Sequence, residues 1–184
     1  MPELTATTPL NGYEKSFGET TLAEPQGLAL VSLACPLNGD EALGAALTGM
    51  DLTRPAAGNS TIYGDTRLIW TAPDQMLLVF AHSTPDAVAA VAARTGDTAY
   101  LTDQTDNWCA LSLEGPLARM ALERICPLDL HNDSFAVDSA ARTVMEHLGV
   151  LIVRTGADAF LLLSASSSAG SFLHAVETSL NNVG

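Results

Sequence analysis

Apolar residues fall into short runs along most of this chain, and their spacing predicts alternating strands and amphipathic helices. Residues 27–35 (GLALVSLAC) form a continuous apolar run that predicts a buried strand. Residues 39–49 (GDEALGAALTG) have helical spacing, with Asn38 or Asp40 as the predicted cap. Two apolar runs within residues 66–81, joined by Ala-Pro-Asp-Gln, predict a hairpin.

A second helix and a strand complete this half of the pattern. The helix is predicted over residues 84–96, because Thr84 suits the cap, Pro85 the first turn and Gly96 the position after the last turn. Residues 98–103 (TAYLTD) predict a strand, and the polar residues 51–60 predict a loop.

The second half of the chain repeats this order of elements. Its predicted elements are a strand over 108–115, a helix over 116–125, strands over 141–148, 149–155 and 159–164, and an amphipathic helix over 167–180.

The two halves also agree residue by residue. A forward shift of 84 positions places residues 68–88 on residues 152–172 without a gap, so that Asp74 falls on Asp158. A shift of 80 positions places Ser32-Leu33 on Ser112-Leu113. These agreements predict an internal duplication of a β-α-β-β-α-β unit. The expected fold class is therefore α+β, with the ferredoxin-like plan taken twice, antiparallel sheets and helices packed on one face.

The expected domain organisation follows from this duplication. Residues 1–26 are polar and without clear periodicity, which predicts an extended N-terminal arm that embraces a partner or simply frays. Residues 27–184 are expected to form one domain of two repeats, about 27–104 and 105–184.

Charge and composition narrow the classes of function. The net charge is −13, with 21 acidic against 8 basic residues, and Lys15 is the only lysine. Such a chain would repel nucleic acid and anionic membranes, and it suits a basic partner surface or high solubility. No signal-peptide pattern and no apolar run of about 20 residues is present, and the three cysteines are widely spaced. These features predict a cytoplasmic protein with reduced thiols.

Candidate chemistry is sparse. The sequence has no GxGxxG, Walker or GxSxG pattern. Asp129, His131 and Asp133 could present three metal ligands, although a polar turn gives the same letters. Asp103 and Asp106 could form an acid–base pair, but capping of turns is favoured for both. No catalytic, cofactor-binding or metal-binding residue is therefore assigned in this chain.

Three short motifs carry a resemblance to a known family. They are TDQTDNW at residues 102–108, LEGP at 113–116 and CPLDL at 126–130. In this order the motifs resemble those of the gamma subunits of heterotetrameric sarcosine oxidases, and the likeness runs from about residue 60 to the end. That family is related to the folate-binding domain of the aminomethyltransferases of glycine cleavage, whose fold is two intertwined ferredoxin-like repeats.

The resemblance implies a structural, non-catalytic subunit. In the resembled bacterial complex the alpha, beta and delta subunits carry NAD, tetrahydrofolate, FAD, FMN and zinc, and the gamma subunit carries no cofactor. The complex oxidises sarcosine to glycine with O₂, forms peroxide and passes the one-carbon unit to tetrahydrofolate. Predicted contacts with partner subunits are Asp103, Asp106, Trp108 and Arg124, although Trp108 suits a core position equally well.

Two other functions stay open at this point. One is a stand-alone folate-binding, aminomethyltransferase-like domain. The other is a gamma-type subunit of a related oxidase of methylated amines, with a substrate such as dimethylglycine.

Overall fold

The structure of the chain is a computed structural model that describes residues 7–184. The first six residues of the predicted arm therefore lie outside the described part. Within it the strands are β1 (Glu14–Phe17), β2 (Thr20–Ala23), β3 (Leu28–Ala34), β4 (Ser60–Tyr63), β5 (Thr66–Ala72), β6 (Gln75–Ala81), β7 (Tyr100–Asp103), β8 (Trp108–Glu114), β9 (Ala140–Met145), β10 (Leu148–Gly156) and β11 (Ala159–Ala165). The α-helices are α1 (Asp40–Thr48), α2 (Ala87–Thr95), α3 (Ala118–Ile125) and α4 (Ala169–Asn181).

These elements form two compact units. The first unit comprises residues 27–106 and the short segment 138–141. The second unit comprises the residues up to Gln26 together with 107–137 and 142–184. The sequence predicts a boundary between the repeats at about residues 104/105, and the structure divides the two units after Asp106.

In the first unit, five strands form a sheet in the order β4-β5-β6-β3-β7, with antiparallel pairing. Alternate residues of β3 point to one face, where they pack against both α1 and α2. The resulting core includes Val31 and Leu33 from the strand, Leu43 and Leu47 from α1, and Ala87 and Val91 from α2.

The helix caps of this unit differ from those predicted. The N-terminal cap of α1 is Gly39, between the two predicted candidates, and no side chain caps the helix. α2 begins two residues after Pro85 with Asp86 as its cap, again without a side-chain cap bond. Thr84 instead donates its hydroxyl hydrogen to the Asp86 carboxylate at 2.5 Å. Side chain–side chain bonding has replaced the expected bond to the backbone.

In the second unit, six strands form a sheet in the order β1-β2-β8-β11-β10-β9. α3 and α4 pack on each other, and the buried Ser179 hydroxyl donates to the carbonyl of Ala121 at 2.6 Å. The predicted α+β class with antiparallel sheets is thus confirmed, and four α-helices lie within the described residues.

Corresponding strands of the two units share their bounds and irregularities. A shift of 80 positions carries β3 onto β8, and a shift of 84 carries β6 onto β11, each end to end. The β5–β6 ladder shifts register between Trp70 and Ala72, and the β10–β11 ladder does so between Arg154 and Gly156. A bulge retained at the corresponding place indicates the same local strand geometry in both units.

Each unit contains a segment that comes from the other half of the sequence. In the first unit β7 pairs with β3, so that Leu101 lies opposite Leu33. In the second unit β2 takes this position on β8, so that Leu22 lies opposite Leu113. Residues 138–141 return to the first unit, where Asp138 accepts the N–H of Ser60 at 2.7 Å.

Residues 14–23 of the predicted arm therefore form a β-hairpin that extends a sheet. Leu22 is fully buried, so the hairpin contributes to the core of the second unit. Gly115 fits closely beneath the hairpin turn, since a Cβ there would lie 2.5 Å from the carbonyl oxygen of Glu19. The Thr20 hydroxyl also accepts the N–H of Leu117 at 3.0 Å, just before α3.

Candidate functional site

The acidic segment that follows β7 is held by backbone bonds. The Asp103 carboxylate accepts the N–H of Thr105 at 2.9 Å. The Thr105 hydroxyl in turn accepts the N–H of Leu30 at 3.1 Å. Asp103 thus closes a turn, as the capping interpretation predicts. Asp106 lies in the same short 3-10 helix as Thr105 and is exposed.

Trp108 and Arg124 belong to the second unit, whereas Asp103 and Asp106 belong to the first. Trp108 opens β8 and is partly buried. Its Nε1–H is shielded from solvent and finds no acceptor among residues 7–184. Arg124 lies exposed in the last turn of α3, where a cation favours the helix dipole. Of the four predicted contact residues, only the two aspartates are placed on one turn.

A buried carboxylate that the sequence analysis did not single out organises the chain before β1. Glu24 is only 5% exposed. It accepts the N–H of Leu10 at 3.0 Å, the N–H of Gly12 at 2.8 Å and the hydroxyl of Thr8. These three donors satisfy the carboxylate, which has no cationic partner in the described part of the chain. No sequence signal marks Glu24, because two of its donors are backbone groups of an irregular segment and the third is the hydroxyl of the distant Thr8.

The buried thiol of Cys109 is unreactive. Burial, with a smaller contribution from the charge of Glu24, raises the pKa of Cys109 to about 12. Since the thiolate is the nucleophilic form, Cys109 is a structural residue at neutral pH.

The only lysine of the chain fastens the N-terminal hairpin to α4. Lys15 Nζ lies 2.9 Å from Glu177 Oε1, and the Tyr13 hydroxyl donates to the same oxygen at 2.7 Å. These two hydrogen bonds lower the pKa of Glu177. Burial first, and then the bond to Glu177, raises the pKa of Tyr13. The ammonium group also lies 4.8 Å from the centroid of the Phe17 ring.

A buried guanidinium group stabilises the loops of the second unit. Arg154 is 1% exposed and donates to the carbonyls of Leu130 at 3.1 Å and Phe135 at 2.8 Å. It also donates to the carbonyls of Gly156 and Ala157, and its guanidinium carbon lies 5.3 Å from the Phe160 ring centroid. Carbonyl oxygens therefore surround the charge, which is an architectural role.

The polar sequence at residues 129–134 forms a turn. Asp129 accepts the N–H of His131 at 3.0 Å and the hydroxyl of Ser134 at 2.6 Å. The Ser134 bond, followed by the His131 bond, lowers the pKa of Asp129. Within residues 7–184 no group of three or more His, Cys, Asp or Glu side chains is arranged to hold a metal ion. The same residues contain no helix long and apolar enough to cross a bilayer.

Curated proteins similar to this chain share one description. Sarcosine oxidase subunit gamma of Arthrobacter sp is 33% identical over 68% of this chain, and that of Corynebacterium sp. (strain U-96) is 34% identical over 73%. The subunit of Corynebacterium sp. (strain P-1) is 30% identical over 73%. The chain spans 61–66% of the length of these relatives. The predicted resemblance to gamma subunits is confirmed.

Two solved structures share the fold. A chain of heterotetrameric sarcosine oxidase from Corynebacterium sp. U-96, in complex with pyrrole 2-carboxylate, superposes with a TM-score of 0.78 at 28% identity, covering 90% of this chain and 87% of that chain. The glycine cleavage system aminomethyltransferase T from Bartonella henselae gives a TM-score of 0.66 at 15% identity, covering 93% of this chain and 56% of that chain, and it supports the fold alone. The family of the GCVT N-terminal domain matches residues 42–175. This chain belongs to the GCVT N-terminal domain family.

Proposed function

We propose that this chain is the gamma subunit of a heterotetrameric sarcosine oxidase and that its role there is structural. The observation that carries the proposal is the agreement of sequence and fold with one chain of such an enzyme, at 28% identity over 90% of this chain. The reaction of the whole complex is then the oxidation of sarcosine to glycine, with transfer of the one-carbon unit to tetrahydrofolate.

The chemistry of the described polar residues supports a structural role. Glu24 and Arg154 are buried and bonded to backbone groups, and the thiol of Cys109 stays protonated near neutral pH. The Arg67 guanidinium donates to Ser60 Oγ and Asp138 Oδ1, each at 2.6 Å, and so fastens the returning segment 138–141. Each of these groups has a partner that explains its presence without a substrate.

The proposed partners are the alpha, beta and delta subunits, which would carry FAD, FMN, NAD, tetrahydrofolate and zinc. Asp103, Asp106, Trp108 and Arg124 remain the proposed contact residues. Asp106 and Arg124 are exposed, and Trp108 is partly exposed at the start of β8. A cytoplasmic location follows from the same proposal.

Co-expression tests the proposal. A tagged copy of this chain should retain the three other subunits through affinity and size-exclusion chromatography, and the assembly should show flavin absorbance. The chain purified alone should show none. Elution of the tagged chain as a free protein, in the presence of the three folded subunits, would contradict the proposal.

A second function is a stand-alone folate-binding domain, which membership of the GCVT N-terminal domain family favours. Titration of the isolated chain with a reduced folate, followed by tryptophan fluorescence, tests it. A saturable change supports this second function, and an unchanged spectrum opposes it.

A third candidate is a gamma-type subunit of a related oxidase of methylated amines. Comparing sarcosine with dimethylglycine as substrates of the assembled complex separates the two proposed amine substrates.

A further inference from the structure

The outer edge of β7 is a free strand edge. In the sheet of the first unit β7 is the last strand, and β3 is its one neighbour among the strands that the structure describes. Gln104 donates its N–H to Leu30 O at 2.8 Å, and inward bonds of an antiparallel pair fall on alternate residues. The backbone groups of Leu101 and Asp103 therefore face away from β3. Such an edge is a template for an additional strand.

The second unit contains a strand at the corresponding place. β2 occupies on β8 the position that β7 occupies on β3, and β1 then adds antiparallel to the outer side of β2. Leu22 of β2 lies opposite Lys15 of β1 and is fully buried. Leu101, which holds the position of Leu22 in the first unit, is partly buried. Among residues 7–184, the first unit thus has no counterpart of the sixth strand that completes the sheet of the second.

The side chains along the free edge define the chemistry of its occupant. Tyr100 is 70% exposed and offers an aromatic contact. Asp97, Asp103 and Asp106 are exposed before, within and after the strand. No Lys, Arg or His occurs from residue 95 to residue 118, so the charge along this edge is uniformly negative.

We propose that the β7 edge receives an extended, basic segment of another subunit of the complex as a sixth, antiparallel strand. The inference rests on the proposed function, because it requires a partner subunit. Backbone pairing with Leu101 and Asp103 supplies the affinity, and the carboxylates select lysine or arginine side chains. β1 (EKSF) is the internal example of an added outer strand, although it has no net charge. Its Lys15 pairs with Glu177, and the residue of the first unit that corresponds to Glu177 is Ala93.

Hydrogen exchange measures the backbone pairing directly. The amides of Leu101 and Asp103 should exchange rapidly in the isolated chain and at least about tenfold more slowly in the assembled complex. The amide of Thr102, which already faces β3, should change little. An intact complex in which Leu101 and Asp103 still exchange rapidly overturns the inference and leaves the proposed function standing.

Matched charge variants measure the selectivity. The triple variant Asp97→Asn, Asp103→Asn and Asp106→Asn keeps each side-chain shape, including an oxygen acceptor for Thr105. Its assembly should be at least about tenfold weaker and less sensitive to salt than that of the wild type. The control variant Asp51→Asn, Asp65→Asn and Asp74→Asn removes the same charge from exposed positions of the same unit and should assemble normally.

The remaining outcomes are equally decisive. Equal weakening by the two triple variants, with unchanged circular dichroism, contradicts the placement at β7. A homodimer of the isolated chain in which Leu101 and Asp103 are protected contradicts the proposed occupant. Failure of the wild-type chain to bind any subunit overturns the proposed function and, with it, this inference.

Discussion

At the scale of single residues, most side chains that could do chemistry are engaged in holding the chain together. Asp103 and Asp129 bond to backbone N–H groups of their own turns. The sequence predicts such turn bonds because short acidic side chains reach the backbone two residues on. Glu24 and Arg154 were not predictable in this way, since their partners belong to segments whose conformation no local pattern specifies.

Removal of the Glu24 carboxylate should destabilise the chain. Glu24→Ala leaves the N–H of Leu10 and the hydroxyl of Thr8 without their acceptor, and we expect a loss of about 2–4 kcal/mol in the free energy of unfolding. Urea denaturation measures this loss. Glu19→Ala, at an exposed position of the hairpin turn, should change stability by less than about 0.5 kcal/mol. Equal effects of the two substitutions would contradict the role assigned to Glu24.

The Glu177 cluster should make stability depend on pH. The pKa of Glu177 is lowered from 4.5 in the folded chain, so its contribution is present above pH 4.5 and is lost as the pH falls through the folded-state pKa. Glu177→Gln should therefore be less stable than the wild type at pH 7, and the difference should narrow below pH 4.5. Unfolding curves of both proteins from pH 7 to pH 3 measure it. A constant difference over this range would exclude the titration of Glu177 as the cause.

Substitution of Trp108 tests the proposed partner contacts. If a partner subunit contacts this side chain, Trp108→Ala should weaken assembly by about 2 kcal/mol, measured as a change in the dissociation constant. Tyr63→Ala, at an exposed aromatic residue of β4, is the matched control and should leave assembly unchanged. A Trp108→Ala chain that assembles as tightly as the wild type would show that this residue serves its own fold alone.

At the scale of elements, the sequence predicts strands and helices well where the hydrophobic periodicity is long and turn residues bound it. The hairpin of β5 and β6, the strand β8 and the helix α4 occur where apolar spacing and Pro or Gly placed them. The hairpin of β1 and β2 escaped prediction because each strand has only four residues. In addition, the apolar partners of β2 lie on β8, about ninety residues further along the chain. The caps of α1 and α2 also differed, since no side-chain cap bond forms at either helix.

The fit of the N-terminal hairpin depends on Gly115. Gly115 has φ +128°, and a Cβ there would lie 2.5 Å from the Glu19 carbonyl oxygen. Gly115→Ala should lower the free energy of unfolding by about 2–4 kcal/mol, because both the backbone conformation and the contact oppose a side chain.

Gly149→Ala is the matched control for this substitution. Gly149 lies in β10 with no heavy atom within 4 Å of the added methyl group. Its substitution should cost less than about 1 kcal/mol. Thermal unfolding of both variants measures the difference, and a tolerated Gly115→Ala would mean that the hairpin does not lie against this residue.

At the scale of the whole molecule, the duplicated pattern predicted the α+β class but not the exchange of segments between the units. Shifts of 80 and 84 positions align strands along the chain, yet they cannot show that β2 replaces the expected closing strand of the second unit. That exchange depends on pairing between distant segments, which local periodicity does not encode. The resemblance in three short motifs identified the relatives, while the partner contacts depend on surfaces that the sequence leaves unspecified.

We propose that this chain functions as a cofactor-free structural subunit of a larger flavoenzyme. Native mass spectrometry of the complex purified through a tag on this chain tests it most directly. We predict one copy of this chain with one copy each of the alpha, beta and delta subunits, and a mass for the released chain equal to that of its polypeptide alone. A tagged chain recovered free of these subunits, or carrying a bound flavin itself, would contradict the account.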